Sequence, residues 1–264
     1  DVLIDVETED FHLTDAIADH AVDQIDESVA MGKPFFQYVA FSAPHWPLHA
    51  YEDDIVKYEG KYMAGYDAMR TSRHEQQKGL GVVDDKWDIS PRDSDSPDWK
   101  DVRNKEYEDI RMATYAAMVE QVDRGVGRII DTVNELGIEE NTLILFTSDN
   151  GPWLSYGDHA GQTGIYREGK GTTFEGGVRV PFVAIWPGTI PAGSTSSEPL
   201  MTIDILPTIA QWIDVPLPSH TIDGKSAVAI FEDEEDAASP QEAYYFYYRK
   251  NQLEAIRWGQ WKLH

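Results

Sequence analysis

The sequence contains no cysteine and few bases. Without cysteine there is no disulfide, no thiolate nucleophile and no thiolate metal centre, so catalysis or metal binding falls to oxygen and imidazole groups. Lysine and arginine number 22 against 47 aspartates and glutamates, a formal net charge of −25. That balance lacks the basic face a nucleic-acid backbone requires, and it opposes an anionic membrane surface. No apolar run approaches the ~20 residues of a membrane span, and no signal peptide is visible. With cations so scarce, a lysine set in a glycine-rich loop stands out.

What is present suffices for a large core. The 264 residues are 41% hydrophobic, enough for one large domain or one domain and a small second one. Ile17, Ala21, Ile25 and Val29 recur every four residues, predicting a helix capped by Thr14, running to about Met31 and stopped by Gly32. "FFQYVAF" (35–41) reads as a strand buried on both faces. Residues 51–105 are polar, aromatic and irregular with short helical pieces, an insertion of the kind that covers a site. The clearest helix is 106–136, where Tyr115, Met118, Val122, Val126, Ile129, Val133 and Leu136 keep the three–four spacing before Gly137.

A strand over 142–147 runs into "SDNG", a glycine-rich loop follows over 151–177, and a strand is predicted over 180–186. A helix is predicted over 203–213, with Pro207 in its first turn. Alternating helices and buried strands predict an α/β domain over 1–231. The acidic run "EDEED" makes 232–242 a solvated linker or loop. Residues 243–264 read as strands turning at Trp258-Gly259-Gln260-Trp261, the truncated start of an antiparallel subdomain. The chain opens on "DVLIDVETED" without Met and stops at "GQWKLH", and is read as part of something longer.

Three loops carry unusual polar residues. His45 lies between prolines in "APHWP", Asp149 and Asn150 close a strand, and Lys170 lies between glycines in "REGKGTTFEGG". Singly each has a plain structural account: a rigid loop histidine, a turn built from Asp, Asn and Gly, an exposed lysine. Together they suit a tetrahedral oxyanion. Carboxylate and amide oxygens can hold a hard cation, a lysine can balance developing negative charge, and an imidazole can protonate a leaving alkoxide.

The chain resembles the C-terminal half of a formylglycine-dependent arylsulfatase. The resemblance is carried in order by "PFFQYVAFSAPHWPLHA" (34–50), "KYEGKYMAGYDAMRTSRHEQQKGLG" (57–81), "YAAMVEQVDRGVGRIIDTVNELGIEENTLILFTSDNG" (115–151), "REGKGTTFEGGVRVPFVAIWPG" (167–188) and "DILPTIAQW" (204–212). It implies an alkaline-phosphatase-like sheet flanked by helices, followed by a small C-terminal sheet domain. It implies hydrolysis of a sulfate ester, small-molecule or carbohydrate, with Ca²⁺ (or Mg²⁺) held partly by Asp149 and Asn150. It makes Lys170 a sulfate contact and His45 the proton donor to the departing alcohol. His159, in "GDHAGQ", and Arg167 are substrate-binding candidates.

The nucleophile pattern C/S-x-P-x-R does not occur: "SAPHW" (42–46) ends in Trp46, and "SPR" (90–92) has the wrong spacing. The formylglycine and the remaining metal acids are expected N-terminal to this chain, which alone is expected to be inactive. The family resemblance favours a periplasmic or extracellular setting. Two alternatives stand beside the sulfatase reading: a phosphatase, phosphodiesterase or phosphonate hydrolase of the same superfamily, and a non-catalytic relative.

Overall fold

Small residues, rather than large apolar ones, meet where two long helices of the chain pack. In a computed structural model, residues 11–154 and 161–264 are described. They fall into two units: Asp1–Ile138 with Gly151–Lys170 and Phe174–Gly177, and Glu139–Asn150 with Gly171–Thr173 and Val178–His264.

In the first unit the principal helices are α1 (Leu13–Ala30), α2 (Glu52–Val56), α3 (Tyr66–Gly79) and α4 (Lys105–Glu135); the four-residue α5 (Glu175–Val178) lies at the end of the glycine-rich loop. The Asn104 side chain caps α4 by accepting from the Tyr107 amide at 3.1 Å, and Gly137 leaves the helix at a φ of 65°. The buried face of α4 includes Ala113, Ala117, Gln121 and Gly125, four apart. A Cβ on Gly125 would lie 3.2 Å from Ala18 of α1 and 3.2 Å from the Phe41 ring. The expected stripe of Val122, Val126 and Ile129 is only half-buried, because the close helix approach selects the small residues beside it.

Thr14 does not cap α1. The N-cap is His12, which makes no side-chain cap bond, while Thr14 is buried within the first turn. The His12 ring instead donates through Nε2 to the His49 carbonyl at 3.1 Å and stacks on the His49 ring.

Residues 35–41 form no strand. Their side chains alternate between half-buried and exposed, with Phe36 83% and Tyr38 86% exposed, so the period of a strand is present. Among the described residues no neighbouring strand pairs with them, and a strand is defined by its ladder. The predicted burial on both faces therefore does not occur.

The insertion over 51–105 is anchored by buried carboxylates. Asp109 of α4 accepts from the amides of Gly60 (2.5 Å) and Tyr62 (2.8 Å). Asp54 of α2 accepts from both Arg124 terminal nitrogens (2.9 and 2.6 Å), from Lys57 (2.8 Å) and from Gln121 (3.3 Å). The Arg124 guanidinium holds the Asp54 carboxyl well below the usual carboxylate range, against the opposing effect of burial. Because the folded value is depressed, the pair stabilises the fold above the unfolded value of about 3.9 and loses that contribution as pH falls below it.

Asp54→Asn is expected to cost about 2 kcal/mol at pH 7, less than a fully buried pair because the Arg124 side chain is 42% exposed. Urea denaturation over a pH series checks this. The difference between variant and wild type should shrink below about pH 4; a difference that holds constant with pH would remove the charge pair as its source.

In the second unit, β1 (Ile144–Thr147) pairs antiparallel with β2 (Phe182–Ile185), in the register Ile144↔Ile185 to Thr147↔Phe182. Phe146, Phe182, Val183 and Ile185 are between 40 and 52% exposed, so these strands are not buried on both faces. Edge-on aromatic contacts link Trp186 to Trp212 (5.2 Å), Trp212 to Phe231 (5.2 Å) and Phe182 to Phe231 (6.0 Å). They seat β2 against α6 (Ile205–Trp212) and α7 (Val228–Phe231). Pro207 is the third residue of α6, in its first turn, where a missing amide costs no helical bond. A three-stranded antiparallel sheet closes the unit: β3 (Ala243–Tyr248), β4 (Gln252–Trp258) and β5 (Trp261–Leu263), with Gly259 at a φ of 55° in the predicted turn. Among the described residues no helix is long and apolar enough to cross a membrane.

Candidate active site

Three short backbone segments of the first unit interlock to hold the key lysine. The Gly151 amide donates to the Gly177 carbonyl at 2.9 Å, the Lys170 amide to the Pro152 carbonyl at 2.8 Å, and the Gly176 amide to the Arg167 carbonyl at 3.0 Å. The strands of this weave are too close for side chains. A Cβ on Gly151 would lie 1.8 Å from the Gly176 oxygen, and one on Gly169 would lie 2.4 Å from the Pro152 oxygen. These glycines are present for close approach, which a turn-based reading of "DNG" does not anticipate.

The weave presents half-buried Lys170 to His45. The lysine Nζ lies 3.0 Å from the exposed histidine's Nε2. His45 is fixed by its own loop: its amide donates to the Ser42 carbonyl at 3.0 Å, and its Nδ1 lies 2.7 Å from the Trp46 carbonyl oxygen. A carbonyl can only accept, so Nδ1 carries the ring proton, and the free Nε2 lone pair accepts from the lysine ammonium. The third member is Trp153, whose ring centroid lies 6.1 Å from that of His45 and 5.8 Å from Lys170 Nζ. Lys170 and His45, 125 positions apart in the sequence, are thus in contact.

Arg167 is exposed. Its guanidinium stacks on Phe174 at 4.0 Å, and its Nε lies 3.4 Å from Glu168. His159 lies outside the described residues. The 51–105 insertion reaches the glycine-rich loop directly: the Ser90 amide and hydroxyl both donate to the Gly164 carbonyl, at 2.9 and 2.6 Å. Titratable groups and nucleophile spacing give no sign of Ser90 or Trp153. The signal for Trp153 was an aromatic placed directly after "SDNGP".

In the second unit, Asp149 is exposed and Asn150 half-buried just beyond β1. The Ser148 hydroxyl donates to the Asn150 carbonyl at 3.1 Å, and the Thr147 hydroxyl to the Pro181 carbonyl at 3.1 Å. Asp149 and Asn150 offer only oxygen donors, the chemistry a hard cation takes, but the usual shell has about 6–8. No cluster of three or more His, Asp or Glu able to hold a metal forms among the described residues. The donor type fits Ca²⁺ or Mg²⁺; a complete shell requires further ligands.

Residues 4–215 match the Sulfatase family model, and the chain belongs to the sulfatase family. It is 32% identical over 255 residues to an uncharacterized sulfatase of Schizosaccharomyces pombe, covering 83% of this chain and 46% of that protein. It is 38% identical over 150 residues to the steryl-sulfatase of Homo sapiens, covering 54% of this chain and 25% of that one. Among solved structures it is similar to Ps i-CgsB in complex with k-i-k-neocarrahexaose, with a TM-score of 0.67 and 30% identity over 95% of this chain and 45% of that one. The chain therefore spans less than half the length of each of these relatives. The likeness in structure agrees with the alkaline-phosphatase-like fold that the sequence motifs imply.

Proposed function

We propose that this chain contributes to the hydrolysis of sulfate esters, R–O–SO₃⁻ + H₂O → R–OH + HSO₄⁻. The observation that carries the reading is the Lys170–His45 contact, a fixed pair of basic side chains in a chain of net charge −25. Lys170 binds the sulfuryl oxygens as a point charge on a rigid backbone. His45 acts at the bridging oxygen. Its Nε2 is occupied by the lysine in this arrangement, so substrate has a defined effect: a sulfate that draws Lys170 onto itself frees Nε2 to take a proton from water, which it then gives to the leaving alkoxide. The Trp46 carbonyl keeps the ring oriented throughout by holding Nδ1–H.

Asp149 and Asn150 would supply oxygen ligands to a Ca²⁺ or Mg²⁺ ion, and the chemistry such an ion would supply is stabilisation of negative charge on oxygen. Arg167 and His159 remain candidates for contacts to the rest of the substrate. The likeness to Ps i-CgsB, solved in complex with k-i-k-neocarrahexaose, supports a carbohydrate as the alcohol part of the ester.

Calorimetric titration with inorganic sulfate tests the reading. Lys170→Ala should weaken sulfate binding by about 10- to 100-fold, the worth of one charge-assisted hydrogen bond. Unchanged binding in the variant would overturn the assignment.

A further inference from the structure

We infer that Trp153 is the wall against which the ring carrying the sulfate ester rests, and that this ring is a pyranose. The inference rests on the sulfate-ester reading of Lys170 and His45. One indole neighbours both: Lys170 Nζ lies 5.8 Å from its centroid and the His45 ring 6.1 Å away. In an ester R–O–SO₃⁻ the lysine takes the sulfuryl end and the histidine the bridging oxygen. The group R begins one bond beyond that oxygen, so it must leave past whatever adjoins the histidine, and Trp153 does.

The backbone on either side of the indole is held. Its neighbours in the chain are fixed by the Lys170 and Leu154 amides, which both donate to the Pro152 carbonyl at 2.8 and 3.1 Å. The residue is also 39% exposed. A flat, rigid aromatic face complements the C–H face of a sugar ring, which gives affinity without charge. That matters here. With 22 bases against 47 acids, the chain has few cations with which to hold a polyanion, so an uncharged contact must discriminate among sulfated ligands.

The test is calorimetry with four probes: inorganic sulfate, methyl sulfate, galactose 4-sulfate and 4-nitrophenyl sulfate. Wild type should bind galactose 4-sulfate roughly tenfold more tightly than methyl sulfate. Trp153→Ala should abolish that increment while weakening methyl sulfate far less, and Trp153→Phe should restore most of it. Equal losses for methyl and galactose sulfates would overturn the inference and leave Trp153 as a prop for Lys170. An increment larger for 4-nitrophenyl sulfate than for the sugar would overturn the pyranose class in favour of planar aryl groups. Inorganic sulfate separates the two levels: a wild type that binds none of it brings down the Lys170–His45 reading itself, and the assignment of Trp153 falls with it.

Discussion

Asp204→Ala is expected to destabilise the second unit by about 4 kcal/mol. The carboxylate is 2% exposed and accepts four hydrogen bonds. Oδ1 takes the Lys225 amide and Gln241 Nε2, both at 3.0 Å; Oδ2 takes the Met201 amide at 3.2 Å and the Tyr244 hydroxyl at 2.7 Å. These donors come from the turn leading into α6 (Met201), the segment before α7 (Lys225), and β3 with the residues leading into it (Tyr244 and Gln241). One side chain therefore fastens three parts of the unit. Burial, together with the Asp204 charge, pushes the Tyr244 phenol above its usual range, so Tyr244 stays a donor.

Removing the acceptor strands four donors, each worth about 1–3 kcal/mol when left unsatisfied, and shared relaxation keeps the sum below simple addition. The expected loss is a large part of the 5–15 kcal/mol typical of a domain. Tyr244→Phe removes one of the four donors to Asp204, together with the hydroxyl's contacts to the Pro199 carbonyl and the Ser239 hydroxyl, and should cost about 2 kcal/mol. Denaturation followed by tryptophan fluorescence, in which Trp186 and Trp212 report on this unit, distinguishes the two. A loss under about 1 kcal/mol for Asp204→Ala would mean that the network is not what joins these segments.

Asp204 also shows what the sequence concealed. The run "IDILPTIAQWI" gives the helix and the place of Pro207, because those follow from local spacing and from proline's missing amide. It gives no sign that its acid is buried, since the four donors come from positions as far off as Tyr244. The same holds for 35–41, where period-two alternation was legible but ladder partners are a property of other segments. In α4 the helix itself was plain and Met118 and Val133 of the expected stripe are buried, yet the face also runs through Ala113, Ala117 and Gly125, because close helix approach selects small residues that a stripe of large apolar side chains does not mark.

For the site, His45, Lys170, Asp149 and Asn150 were legible as residue types at loop positions. The contact between His45 and Lys170 was not, because the backbone weave that makes it is written mainly in glycines, and a glycine's letter does not say whether it is needed for a turn or for proximity.

Gly169→Ala decides between those two uses at the site, and its effect should rival that of deleting the lysine. A Cβ there would meet the Pro152 oxygen at 2.4 Å and Leu154 Cγ at 2.9 Å, so backbone must move. The bond that moves is the Lys170 amide to the Pro152 carbonyl, which aims Lys170 at His45 and Trp153. Sulfate binding should fall by about tenfold or more although every charged group is retained, since loss of placement forfeits most of a charge-assisted bond. Gly127→Ala supplies the opposite case. Gly127 lies within α4 with nothing within 4 Å of its would-be Cβ, so alanine there should stabilise the fold by about 1 kcal/mol and leave sulfate binding intact. Sulfate titration and thermal denaturation of both variants give the answer. If Gly169→Ala binds sulfate as well as wild type, the interlocked backbone is not what positions Lys170, and the site must be held by its side chains instead.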